Sequence, residues 1–320
     1  MTMITMQAGI AAPKPPDSTG PDTVTVISLD QNALPSMEPG GQIRSPWSEI
    51  RARLIAAVEA GNAVCPIPPE TVIESLPLSP NRHRRLKDLQ DRLSRGACLK
   101  PYPLVLAEEV LALVRPEVTA APLKPGTWDD VETRWVRGPR DRLVNLKQQI
   151  QENMRSQSIN YNNRGLSRDD IERVVHEGES GDLYRNLERM EAGHPLAPNR
   201  CYTASVCGFL KLHGITKDEI QKLKEQVLCH RYEVIPVLFY YARLLSQYEF
   251  DLLRGGRRQE VNDIHDLTRA ALALWAADIY VCDAEMAETC RKVGMGELTG
   301  TIVMSVRHPK TLLEHLKASD

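Results

Sequence analysis

The sequence predicts an α/β protein: a parallel β-sheet with flanking helices, interrupted by a large all-helical insertion. Three observations predict it. Short β-branched apolar runs alternate with longer amphipathic runs near both ends of the chain, the pattern of βαβ units. Strand signals stop near Pro116 and return only after Gln259. Between those points helical patterns follow one another with no repeat of fixed period. Residues 23–115 and 260–320 therefore read as two halves of one α/β domain, with 116–259 as the insertion.

Residues 1–22 stand apart. Met1-Thr2-Met3-Ile4-Thr5 resembles the start of the β-galactosidase fragment encoded on common cloning vectors, and the Pro-rich stretch to Pro21 is linker-like. This tail is expected to be disordered and of vector character. Val24 to Leu29 is short, β-branched and followed by turn residues, so it reads as a buried strand. Ser45-Pro46 suits a helix start, Ser as N-cap and Pro at the first helical position. Trp47, Ile50, Leu54, Ala57 and Val58 recur on one face before Gly61 ends the helix. Ala63 to Ile67 is a second strand, weakened by Pro66. Pro68-Pro69 opens a short helix that carries Glu74. Asn81 to Arg95 reads as a basic helix closed by Gly96. Its cations form either a solvated face or a phosphate-contacting one.

Inside the insertion, helices are expected over Asp141–Gln157, Ser167–His176, Asp182–Ala192, Tyr202–His213, Thr216–Cys229 and Val234–Arg254. Ser167-x-x-Asp170 and Thr216-x-x-Glu219 are capping boxes. Pro236 marks a helix start or a kink. Tyr202, Phe209, Leu210 and Leu212 with Val237, Leu238, Tyr241, Leu244 and Leu245 read as bundle core. Helix 263–277, strand 278–282, helix 284–293, strand 301–304 and a helix from Pro309 complete the pattern.

The bulk numbers exclude some classes. A mean hydropathy of −0.34 and the absence of a long apolar run argue against a membrane span. A formal charge of −2 sets up no global field for a polyanion, so any such partner needs a local basic patch. The seven cysteines form no CxxC pair. They read as reduced thiols, several of them in apolar runs, of a cytoplasmic protein rather than zinc ligands.

Four acids stand in an order that a two-metal phosphodiester-cleaving site needs. Asp30 and Asp283 end predicted strands, while Glu74 and Asp266 sit on predicted helices. Neighbouring parallel strands open on one crevice at their carboxyl ends. Carboxylates gathered there repel one another unless a cation stands among them, which points to Mg²⁺ or Mn²⁺ chemistry. Each acid also has a local role open to it. Asp30 suits a strand-end turn, Glu74 an exposed helix face, Asp263 the N-cap of its own helix and Asp283 the N-cap of the next.

Four strings carry a family resemblance. Val26-Ile27-Ser28-Leu29-Asp30-Gln31-Asn32 ends a strand in Asp-x-Asn. Thr71-Val72-Ile73-Glu74 gives a hydroxyl residue and a Glu on one helix, Asp266 heads an alanine-rich helix, and Val281-Cys282-Asp283 ends a strand in an acid. Together they resemble the PIN domain, a group of metal-dependent ribonucleases. Cys282 departs from the Thr or Ser usual before the last acid, and the resemblance covers only the flanking α/β parts. It implies hydrolysis of RNA phosphodiesters, with Asp30, Asp266 and Asp283 as ligands of Mg²⁺ or Mn²⁺. Glu74 would ligate or hold a metal-bound water, and Asp263 would join as in a variant among PIN-like bacterial proteins. Asn32 would orient Asp30 or a substrate phosphate, and Arg84 and Arg85 would contact the RNA backbone. The alternative is an inactive PIN-like scaffold or regulatory protein. Its insertion would bind a protein partner or a second copy.

Overall fold

In the computed structural model, residues 24–38, 45–133, 166–196, 203–228, 235–254 and 263–318 are described. The β-branched run before Asp30 forms strand β1 (Thr25–Leu29). It pairs in parallel with β2 (Ala63–Val64) on one side and with β5 (Ile279–Cys282) on the other. Strand β6 (Ile302–Ser305) extends the sheet beyond β5, giving the all-parallel order β2-β1-β5-β6. β2 is short because Pro66 has no N–H to give the ladder. Ile67 makes only an isolated bridge to Cys98.

Such a sheet must be covered on both faces, and β5 shows how. Ile279 and Val281 face one core with Ile27 and Leu29, under α2 (Trp47–Ala60), α4 (Pro80–Ser94) and α14 (Pro309–Ala318). Tyr280 and Cys282 point the other way, into a core built by α11 (Asp263–Ala276), α12 (Ala284–Lys292) and the helices of the middle chain. Helix α2 buries Trp47, Ile50, Leu54 and Val58 on one stripe and stops at Gly61, whose φ of 87° few other residues tolerate. The expected Ser45 cap is not formed. Pro46 is itself the N-cap, and its carbonyl accepts from the Ile50 N–H at 3.0 Å.

The stretch 116–259 is not purely helical. β3 (Ala97–Leu99) pairs antiparallel with β4 (Leu123–Pro125), and the short α6 (Trp128–Val131) follows behind a Thr127–Asp130 capping box. A three-residue strand ending in Pro is too short to show alternation, so periodicity could not reveal it. Trp128 is buried with Ile67, Val72 and Cys98, and α6 packs on α3 (Pro69–Ser75) and α4. This part belongs with the first α/β segment.

The helical block follows. α7 (Arg168–Glu191) is one continuous helix where two were expected. Ile171, Val175, Leu183 and Leu187 form one buried stripe across Gly178 and Gly181, so packing carries the helix through the glycines. Pro236 starts α10 (Pro236–Leu253) and does not kink it. α8 (Thr203–Leu212) and α9 (Lys217–Leu228) complete the described part; the helix expected over 141–157 and Tyr202 lie outside the described residues, and Leu212, expected in the bundle core, is exposed at the last position of α8. α5 (Tyr102–Ala112) lies against α8, α10 and α11, so the block shares the sheet's core. No helix among the described residues is long and apolar enough to cross a membrane. Cys65, Cys98, Cys207, Cys282 and Cys290 are buried thiols.

Candidate functional site

Leu29 of β1 lies opposite Val281 of β5, so the residues just past the two strands, Asp30 and Asp283, share one edge of the sheet. After β1 the chain passes to α2 on one face, and after β5 it passes to α12 on the other. The carboxyl ends of β1 and β5 therefore bound a topological switch point, the crevice where open α/β sheets bind ligands.

Asp30 is buried and firmly oriented. Its Oδ1 accepts from the Gln31 N–H at 2.6 Å and its Oδ2 from Asn32 Nδ2 at 3.3 Å. Glu74 enters from the last turn of α3 and Asp266 from the first turn of α11. One turn beyond Asp266 on the same helix is Arg269. Its Nη2 lies 2.7 Å from Asp30 Oδ1 and 2.5 Å from Asp266 Oδ1, and its Nη1 lies 3.4 Å from Glu74 Oε2. Three acids far apart in the sequence thus meet on one guanidinium. Asp283 is the N-cap of α12, its Oδ1 accepting from the Met286 N–H at 2.8 Å. It lies near enough for its charge to act on Asp266.

Asp263 opens the same helix as Asp266 and meets a different element. It is buried, and its Oδ2 accepts from the Tyr248 hydroxyl at 2.6 Å, which ties α11 to α10.

One cation does not balance this set. Burial pushes the Asp266 carboxyl up to about 7; Arg269 pulls it down, while Glu74, Asp30 and Asp283 push it further up. For Arg269, burial works against the charge, but Asp30, Glu74 and Asp266 outweigh it and hold the guanidinium well above its usual range. Glu70 lies one turn before Glu74. Burial raises its carboxyl, with Arg269 opposing and Glu74 adding to the rise. Its Oε2 is buried with no hydrogen-bond partner, as are Thr71 Oγ1 and Arg269 Nε.

Sequence reasoning missed Arg269 and Glu70. The available signal was Arg269 as the one charged residue in the alanine-rich run 267–276, three positions after Asp266. Glu70 was visible only as the (i, i−4) neighbour of Glu74.

The basic helix is largely neutralised by acids of its own fold. Arg82 and Arg85 both grip the buried Glu38, at 3.0 and 2.5 Å. Lys87 pairs with Asp91 and Asp129, and Arg92 with Glu59. Arg85 is therefore held in an ion pair, whereas Arg84 is exposed.

The donor chemistry of Asp30, Glu74, Asp266 and Asp283 fits a hard divalent cation, since all the donors are carboxylate oxygens. The raised Asp266 carboxyl reflects its burial first and the neighbouring Glu74, Asp30 and Asp283 after it. Arg269 nonetheless stands among these oxygens. Among the described residues no three His, Cys, Asp or Glu side chains form a ready metal-holding group. A cation fits only where the guanidinium yields. Comparison with protein-family models, with curated proteins and with solved structures finds no match for this chain.

Proposed function

We propose that this chain is a PIN-like endoribonuclease that hydrolyses RNA phosphodiester bonds with Mg²⁺ or Mn²⁺. The observation that carries the reading is the gathering of Asp30, Glu74 and Asp266 on one guanidinium, with Asp283 beside them, at the switch point of a parallel sheet. Asp30, Asp266 and Asp283 would hold the ion, with Glu74 as a further ligand or a water holder. A bound ion supplies a water acidified toward neutral pH and positive charge for the scissile phosphate. The chain's own residues do the positioning. Gln31 N–H and Asn32 Nδ2 fix both oxygens of Asp30, and the α12 N-terminus fixes one oxygen of Asp283. Burial and the neighbouring acids push the Asp266 carboxyl up to about 7, and it would hold the ion as a carboxylate. Arg84, exposed on α4, is the candidate phosphate contact.

A second reading has one specific observation in its favour. Arg269 already pairs with three of the acids, as a permanent internal counter-ion of an inactive scaffold would. The helical block would then serve a protein partner or a second copy. One experiment separates the two. A labelled single-stranded RNA pool, with single-stranded DNA in parallel, is incubated with wild type and Asp30→Asn in Mn²⁺ and in EDTA. The nuclease reading expects Mn²⁺-dependent RNA cleavage by wild type only. Intact RNA in every lane overturns it.

A further inference from the structure

Arg269 is a full charge, 4 % exposed, placed between carboxylates that a divalent cation would need. Its two Nη atoms take an oxygen each from Asp30, Asp266 and Glu74, while its Nε stays buried and unpartnered. Close by on α3 is a second, unused acceptor. Glu70 is 9 % exposed, its Oε2 has no hydrogen-bond partner, and it stands one turn before Glu74, whose Oε2 lies 3.4 Å from Arg269 Nη1. A buried carboxylate oxygen without a donor is costly. Beside an arginine with a spare buried N–H, it offers the guanidinium another seat.

We infer that Arg269 is a built-in counter-ion that competes with a divalent cation for Asp30, Asp266 and Glu74, and that Glu70 is the seat it takes when a cation displaces it. The cation half of this competition rests on the proposed nuclease site. The ion brings two positive charges to the three acids, and the guanidinium carries its single charge to Glu70, so the buried acids of both seats are left with a cation. An arrangement of this kind holds the acids together before the ion arrives, since otherwise they would repel. It also weakens cation binding by the cost of moving the arginine, in the manner of a population shift between two seats.

The test is Mn²⁺ titration by calorimetry on the full chain, comparing wild type, Arg269→Gln and Glu70→Gln, with thermal midpoints in EDTA as a second readout. Arg269→Gln should bind Mn²⁺ at least about tenfold more tightly than wild type, within the usual range of coupling between two ligands of one site. Its midpoint in EDTA should be lower. Glu70→Gln, which removes the second seat but leaves the metal ligands intact, should bind Mn²⁺ about tenfold more weakly than wild type. Equal affinity of wild type and Arg269→Gln overturns the competition and leaves the nuclease site standing. Mn²⁺ binding by Arg269→Gln with none by wild type supports the competition and overturns the nuclease reading. No binding by any of the three overturns both. Should Arg269→Gln fail to fold, Glu70→Gln decides, and an unchanged affinity there overturns the inference.

Discussion

Asp266 is the residue whose protonation most affects this site. An ordinary Asp titrates near 3.8, whereas burial and its acidic neighbours push this one to about 7. Between those values the folded chain holds a proton that the unfolded chain has lost. Stability therefore falls as pH rises through that window and is lowest above 7. In EDTA, wild type should be more stable at pH 5 than at pH 8, by a few kcal/mol at most, since each pH step is worth about 1.4 kcal/mol. Asp266→Asn should flatten that dependence and be the more stable of the two at pH 8. Urea midpoints of both proteins at the two pH values measure it. A variant less stable than wild type at pH 8 would mean that the Arg269–Asp266 pair outweighs the burial. Tyr248 sets a second residue-scale test. Tyr248→Phe removes the hydroxyl that α10 donates to the Asp263 side chain, and a weakened bond at a buried acid costs about 1–3 kcal/mol. No loss in the denaturant midpoint would show that Asp263 is satisfied by its other contacts.

Among the elements, α11 joins the site to the core. Its first turn carries Asp263 and Asp266, Arg269 follows, and Ala270, Ala271, Leu272 and Leu274 are buried to its end. α11 packs on α10, and Ala270, Ala271 and Ala273 are fully buried, so a larger side chain there must displace its neighbours. Ala271→Leu should cost about 1–3 kcal/mol by overpacking, and it should lower metal affinity as well, because any shift of α11 moves Asp266. A change in stability with metal affinity intact would separate the helix's packing from its role in the site. The basic helix α4 makes a narrower prediction. Arg84→Ala should lower the salt dependence of RNA binding by about one unit of slope, as for one lost phosphate contact. An unchanged slope returns α4 to a solvated face. Arg85→Ala is the poorer probe, because it also strips a partner from buried Glu38.

For the whole molecule, the pattern of the sequence reached the sheet and the acids but not what lies between them. β1 and β5 were legible because each is a short β-branched or aromatic run ending in Asp. Their adjacency was a supposition of the sequence reading, and the β1–β5 pairing supplies it. β4 was hidden by its length and Pro125, and the unbroken α7 by glycines whose cost tertiary packing overrides. Arg269 escaped because a single cation on an apolar helix looks like an exposed face until the fold buries it against acids from three other turns of chain. The helical block looked separable by composition, yet Tyr280, Cys282 and α11 share its core. The central claim is that the acids at this switch point form a divalent-cation site. Thermal melting of wild type, Asp283→Asn and Asp266→Asn, each in EDTA and in Mn²⁺, tests it most directly. Wild type should gain roughly 2.7 kcal/mol at about 100 times its dissociation constant, and both variants should gain much less. A wild-type midpoint that ignores Mn²⁺ would contradict the claim.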